Sequence, residues 1–370
     1  MASFEDSAIL LPMRSGTEPV IPSLCPNNLI AICENKVAFA FERFIYIADT
    51  LDKRSPLQVI QSSCADAAFG LHRLCLPDRS GSNEFIVALG AAWIQVIETE
   101  EMQNAFSYKI PAANARSGIV HFAQSMCVLT PGAFITKHRS VDFCCRRLAR
   151  SVCVSVSDCV CVWRPLTVRH RMIIGMSDGS LVTFLVEGFK FEVSVTQKLQ
   201  TAPVSALLVC SSSPSDSFYA GTLDGDVILY KDDADVKFRA EQQRNLSGNP
   251  VSGIVSCPAG IAVSLMNGQI SLLHPLTLHP LLDVAAHARS IYAMSSLDGG
   301  RKLVSAGLDT AVHVWTFAES SGQPAEMFLS QTLHLPNWCA WHACTPTQPL
   351  QSLVSCVLLL LQLIHRGCRR

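Results

Sequence analysis

A repeated hairpin pattern is the feature that most constrains the fold of this chain. Four segments share a small residue, two further positions, an Asp or Asn, and then alternating apolar residues. They are centred on Asp178, Asp224, Asn267 and Asp309. Successive centres are 46, 43 and 42 residues apart, and a large apolar residue stands six positions after each. Internal repeats of about 40–45 residues indicate an array of similar supersecondary units.

Each repeat is expected to form short antiparallel strands. The pair Asp224-Gly225 separates the apolar runs 218–220 and 227–230, and Asp-Gly is a strong hairpin signal because both residues tolerate positive φ. Another apolar run precedes each of the last three hairpins, at 204–209, 251–255 and 291–294. Three or four strands per repeat are typical of the blade of an all-β propeller, in which neighbouring blades bury each other's faces.

The last repeat adds polar residues to this pattern. His287 precedes its strands, Ser305 lies on the second strand, Asp309 lies in the hairpin and Trp315 lies on the third strand. The segment resembles the WD-repeat family, and the resemblance implies a hydrogen-bonded quartet of these four residues. A Ser-His-Asp catalytic set is the alternative interpretation, but no second feature of the sequence indicates an oxyanion hole. We therefore expect a structural WD network and no catalytic residues.

The number and boundaries of the blades follow from the same pattern. Units that start near residues 28, 70, 117, 202, 250 and 287 number six, whereas the resemblance implies about seven blades. We expect a single WD-repeat β-propeller over residues 1–317, with the last blade incomplete or replaced. Residues 136–170, rich in Cys and Arg, are expected to be an irregular insertion, and 318–370 a divergent tail. Residues 7–11 are the candidate strand that closes the ring.

Composition excludes several classes of protein. The 370 residues carry a net charge of −1, so there is no global basic field for nucleic acid. The 16 cysteines would fit a secreted disulfide protein, but the first 24 residues lack a signal-peptide pattern, so a cytoplasmic location is expected. The cysteines between residues 144 and 161 do not have zinc-ligand spacing, and no cofactor motif is present. We expect neither a metal nor a cofactor.

These observations predict a non-catalytic WD-repeat scaffold or adaptor that binds proteins through the faces of the propeller. Arg289 follows His287 in a loop between blades, and it is the candidate residue that faces a partner. The alternative is a membrane-tethered adaptor anchored by the apolar run 350–364. That run is about 15 residues long, whereas a membrane-spanning helix needs about 20.

Overall fold

The described part of the chain is built from β-strands. The computed structural model describes residues 29–33, 36–41, 44–49, 58–61, 68–78, 81–90, 93–110, 123–129, 170–187, 190–210, 217–233, 237–297, 300–317 and 326–334. The first twelve strands are β1 (Leu29–Cys33), β2 (Lys36–Phe41), β3 (Phe44–Asp49), β4 (Gln58–Gln61), β5 (Ala68–Asp78), β6 (Gly81–Gly90), β7 (Trp93–Glu98), β8 (Asn104–Lys109), β9 (Ala123–Leu129), β10 (His170–Met176), β11 (Ser180–Glu187) and β12 (Lys190–Lys198). The other twelve are β13 (Val204–Val209), β14 (Ser217–Thr222), β15 (Asp226–Asp233), β16 (Lys237–Asn245), β17 (Val251–Cys257), β18 (Gly260–Leu265), β19 (Gln269–Leu273), β20 (Pro280–Ala285), β21 (Ile291–Leu297), β22 (Lys302–Gly307), β23 (Ala311–Phe317) and β24 (Met327–His334).

These strands form six four-stranded antiparallel sheets in which sequence neighbours pair. The sheets are blades 1 to 6 in chain order, and the fold is an all-β propeller. The expectation of about seven blades was wrong for the described residues. The six repeat units counted along the sequence correspond to these six sheets, whereas the number seven came from the family resemblance alone.

The irregular stretch of the sequence lies between the first two strands of blade 3. β9 pairs with β10, for example Met172 with Val128 and Ile174 with Met126. The residues between 129 and 170 therefore connect two neighbouring strands of one sheet. His170, the last residue of the predicted insertion, is the first residue of β10. Residues 136–169 themselves lie outside the described ranges.

Blade 6 takes its fourth strand from beyond residue 317. β24 pairs with β23, for example Thr332 with His313, and so completes a four-stranded sheet. β24 lies within residues 318–370, which the sequence predicts to be a divergent tail. The strand was missed because no turn signal precedes it. The candidate closing strand at 7–11 and the apolar run at 350–364 lie outside the described ranges. Within those ranges, no helix has the length and apolar character that a membrane crossing requires.

The hydrophobic core lies between successive blades. Their first strands lie side by side, with β5 beside β1, β9 beside β5, β13 beside β9, β17 beside β13 and β21 beside β17. Phe85 of blade 2 and Phe184 of blade 3 share one buried cluster, and Leu272 of blade 5 and Trp315 of blade 6 share another. Because the central strands bury side chains on both faces, the chain has few charged residues, only 16%.

The fourth strands of the blades share one irregularity. In five blades, an extra residue of the fourth strand stands opposite the same position of the third strand. These extra residues are Ala105, Ser194, Glu241, Leu281 and Ser330. Such a β-bulge increases the local twist and interrupts the ladder of hydrogen bonds.

Candidate functional site

Four tight turns join the second and third strands of blades 3 to 6, at residues 177–179, 223–225, 266–268 and 308–310. Asp178 Oδ1 accepts a hydrogen bond from the Ser180 N–H at 2.9 Å, and Asn267 Oδ1 accepts one from Gln269 at 3.1 Å. In the turn that contains Asp224, a different side chain makes the equivalent bond. Thr222 Oγ1 accepts a hydrogen bond from the Asp226 N–H at 3.1 Å. The hairpin centres are thus fixed by local side-chain chemistry.

The last residue of each turn has a positive φ. It is Gly in three blades, at Gly179, Gly225 and Gly268. A Cβ on Gly268 would lie 2.2 Å from the His287 carbonyl oxygen, so this glycine also permits a close backbone approach. Thr310 takes the same place in blade 6 with a φ of 68°.

The segments that connect one blade to the next hold these turns together. Each connector donates to the turn of the preceding blade, as Gln200, Leu246 and His287 N–H groups donate to the carbonyls of Gly179, Gly225 and Gly268. Each connector also accepts from the turn of the next blade through the carbonyls of Pro203, Pro250 and Ser290. We call the four turns together with connectors 199–203, 246–250 and 286–290 the hairpin face. Its backbone is a continuous hydrogen-bonded arrangement across blades 3 to 6.

In blade 6 the structure brings the four predicted quartet residues together. His287 Nδ1 donates to Asp309 Oδ1 at 2.9 Å, because a carboxylate oxygen only accepts. His287 Nε2 lies 2.8 Å from Ser305 Oγ, and Trp315 Nε1 donates to the same Ser305 oxygen at 2.9 Å. Ser305 is fully buried, and its hydroxyl oxygen lies between the His287 and Trp315 rings.

Asp309 links this quartet to the connector. Its second carboxylate oxygen accepts from the Ala288 N–H at 2.8 Å, and its first also accepts from the Ala311 N–H at 3.2 Å. Burial alone would raise the pKa of Asp309. The hydrogen bonds from His287, Ala288 and Ala311, together with the charge of His287, outweigh burial and lower this pKa below its ordinary value of 3.8.

His313 belongs to this arrangement and was missed by the sequence analysis. Its ring stacks on that of His287, with centroids 4.3 Å apart and planes 14° apart, and it meets the Trp315 ring edge to face at 5.6 Å. The alternation of a strand places His313 and Trp315 on the same face, and that spacing was the available signal. Burial is the main cause that lowers the pKa of His313.

Blade 4 holds its connector with a different pair. Gln200 precedes β13 by four residues, as His287 precedes β21, and Gln200 Nε2 donates to the Tyr230 hydroxyl at 2.9 Å. Tyr230 occupies the position equivalent to Trp315. Gln200 and Tyr230 contact each other directly, so no hydroxyl is needed to bridge them. Ala220 accordingly occupies the position equivalent to Ser305.

Blade 5 keeps the backbone arrangement without such a side-chain network. Its equivalents of His287, Ser305 and Trp315 are Ser247, Val263 and Leu273. Ser271, at the position of His313, is buried, and its hydroxyl has no hydrogen-bond partner within the described ranges.

Arg289 lies on the hairpin face as an exposed residue two positions after His287. The neighbouring residues fix its backbone, because Ala288 donates to Asp309 and Ser290 Oγ donates to the Met266 carbonyl. In the described part of the chain, no ion pair involves the Arg289 guanidinium. Its charge is therefore presented to solvent on a rigid segment.

Metal-binding groups were sought throughout the described ranges. No three His, Cys, Asp or Glu side chains in those ranges lie close enough together to hold a metal ion. The cysteines between residues 144 and 161 lie outside them. The Cys210 sulfur is buried 3.1 Å from the Tyr219 hydroxyl. Burial raises the pKa of Cys257 to about 11, which disfavours the reactive thiolate of that residue.

Comparison with known proteins gives the fold. No protein-family model matches the chain, and no curated protein sequence matches it. The crystal structure of BBS1N in complex with ARL6DN, soaked with lead, is similar at 10% identity with a TM-score of 0.55, over 84% of each chain. A chain in the crystal structure of the mitotic checkpoint complex is similar at 13% identity with a TM-score of 0.56, over 85% of this chain and 78% of that one. These likenesses show a β-propeller fold.

Proposed function

We propose that this β-propeller is a non-catalytic WD-repeat scaffold that binds proteins through its hairpin face. The observation that carries the proposal is the hydrogen-bonded arrangement of turns and connectors across blades 3 to 6. Loops that are fixed by a rigid sheet framework lose little conformational entropy when a partner binds. Such a surface is suited to recognition.

The family assignment within this proposal rests on blade 6. The contacts among His287, Ser305, Asp309 and Trp315 are those that the resemblance to WD repeats implies. Residues 283–317 resemble the strong repeat of WD repeat-containing protein fifty-four, and this finer resemblance remains part of the proposal.

The structural neighbours support a role in protein assemblies. One was crystallised in complex with ARL6DN, and the other is part of the mitotic checkpoint complex. We extend from them only the class of activity, which is protein binding. A net charge of −1 gives no reason to add nucleic acid as a partner.

The remaining parts of the proposal come from the sequence. We propose a cytoplasmic protein without enzymatic activity, since no catalytic motif accompanies the repeats. The membrane-tethered alternative depends on residues 350–364, which the structure does not describe. Carbonate extraction of the full chain separates the two, because a tethered protein stays with the membranes.

Arg289 provides the test of the hairpin face. Affinity purification of the full chain and of Arg289→Glu is compared with Arg239→Glu, a matched charge reversal at an exposed position on β16. We expect Arg289→Glu to lose partners that Arg239→Glu retains, while both variants keep the thermal unfolding temperature of the parent. Identical partners for all three proteins would contradict a role for this part of the face.

A further inference from the structure

We propose that the stacked rings of His287 and His313 make the joint between blades 5 and 6 sensitive to protons, so that acidification releases the connector that carries Arg289. The joint is connector 286–290 together with Ser305, Asp309, His313 and Trp315. An effect of pH on partner binding rests on the proposed function. The release of the connector is independent of that function, because it is measured without a partner.

The neutral joint satisfies the hydrogen bonds of its quartet. His287 Nδ1–H donates to Asp309, and the Ser305 hydroxyl donates to His287 Nε2 while accepting from Trp315. Every polar hydrogen of these four side chains then has an acceptor. This requires His287 to carry a single proton on Nδ1.

Protonation of either histidine would leave a polar hydrogen of the joint without an acceptor. A second proton on His287 would point at Ser305 Oγ, and the Ser305 hydroxyl hydrogen would lose its acceptor. A proton added to His313 Nδ1 would be buried, and that atom has no hydrogen-bond partner among the residues described. With both rings protonated, two cations would lie in a stack with centroids only 4.3 Å apart.

Titratable groups approach His313 from three elements, whereas its partner across β22 is the uncharged Ser305. The connector supplies His287, the turn supplies Asp309, and the end of β24 supplies His334. Asp309 favours the protonated ring, whereas His287 and His334 oppose it.

The pKa of His313 agrees with this geometry. Burial is the largest cause that lowers it, and the charge of His287 lowers it further, against the Ala286 carbonyl and Asp309. For a histidine with a lowered folded pKa, stability is lost as pH falls below the unfolded value of about 6.5.

The connector is the element that can relieve the repulsion. His287 belongs to it, whereas His313 is held within β23 between two neighbouring strands. Movement of His287 away from the stack would break the bonds from Ala288 to Asp309 and from His287 to the Gly268 carbonyl. Arg289 would then lose its fixed backbone.

Hydrogen exchange of the full chain tests the joint. We compare the parent protein, His313→Phe and the control His279→Phe, which removes an exposed histidine from the turn between β19 and β20. After correction for intrinsic rates, we expect the connector amides of the parent to exchange roughly tenfold faster at pH 5.0 than at pH 7.5. His279→Phe should behave like the parent, and His313→Phe should change by less than about twofold, since it keeps an aromatic ring without the proton site.

Equal acceleration in His313→Phe, or none in the parent, would overturn the inference. Since His313→Phe could fold poorly, nuclear magnetic resonance titration of ring-labelled histidines in the parent gives a second measurement. A change in the connector resonances that follows the titration of His313 supports the inference, and titration of His313 without that change overturns it. Neither measurement uses a partner, so its failure leaves the Arg289 experiment unaffected.

Discussion

Blades 5 and 6 share one backbone arrangement but differ in the side chains that hold it. Both connectors donate to the carbonyl of the preceding turn, and both turns lie against the connector before them. Blade 6 adds His287, Ser305, Asp309 and Trp315, whereas the equivalent positions of blade 5 have no such network. The hairpin face therefore depends on backbone hydrogen bonds, and the polar quartet adds stability to one joint.

The largest expected effect comes from removal of the indole at the centre of the blade 6 network. Trp315→Ala should lower the free energy of unfolding by about 4 kcal/mol, since it creates a cavity and leaves Ser305 without its donor. The equivalent change in blade 5, Leu273→Ala, should cost about 3 kcal/mol from packing alone. Denaturant unfolding measures both. A loss for Trp315→Ala no larger than that for Leu273→Ala would mean that the quartet adds nothing to packing.

A smaller effect tests the backbone arrangement that the two blades share. Gly268→Ala should destabilise the chain by about 2–3 kcal/mol, because the residue has a φ of 89° and its new Cβ would meet the His287 carbonyl. Gly248 has a φ of 70° but open space around a Cβ, so Gly248→Ala should cost only about 1 kcal/mol. Similar thermal unfolding of the two variants would show that the close approach is unimportant.

The smallest effect isolates the charge of the quartet. Asp309→Asn should cost about 1–2 kcal/mol at neutral pH, because an amide accepts hydrogen bonds more weakly than a carboxylate. The lowered pKa of Asp309 means that its stabilisation is present above the ordinary range of an Asp and is lost as pH falls through the folded value, below 3.8. The parent and the variant should therefore converge in stability in acid. A constant difference down to pH 2 would contradict this.

The sequence was informative where structure depends on local chemistry. The turns at Asp178, Asn267 and Asp309 were predicted because a short side chain and a following residue with positive φ determine a hairpin within a few residues. The four quartet residues were predicted as a group because the last repeat resembles a WD repeat, and the resemblance implies their contacts. Six repeat units were also countable, because each contains apolar runs of strand length.

The features that were missed depend on contacts between distant residues. β24 has no turn signal, and its assignment to blade 6 depends on pairing with β23. The spacing of His313 and Trp315 shows that they share a strand face, but the role of His313 appears only when the connector places His287 on its ring. The contact between Gln200 and Tyr230 replaces the blade 6 network with different residue types, so no motif could have indicated it.

The bulges of the fourth strands have a consequence for the behaviour of the protein at high concentration. A flat, regular edge strand can pair with another chain and so begin aggregation. In five blades an extra residue interrupts the fourth strand, which is the edge of the sheet, at the same position along the strand. These residues are Ala105, Ser194, Glu241, Leu281 and Ser330. The Gln197 side chain of blade 3 also hydrogen-bonds the backbone of Phe238 in blade 4, donating to its carbonyl and accepting from its N–H. These bulges therefore act against pairing between the outer strands of two molecules.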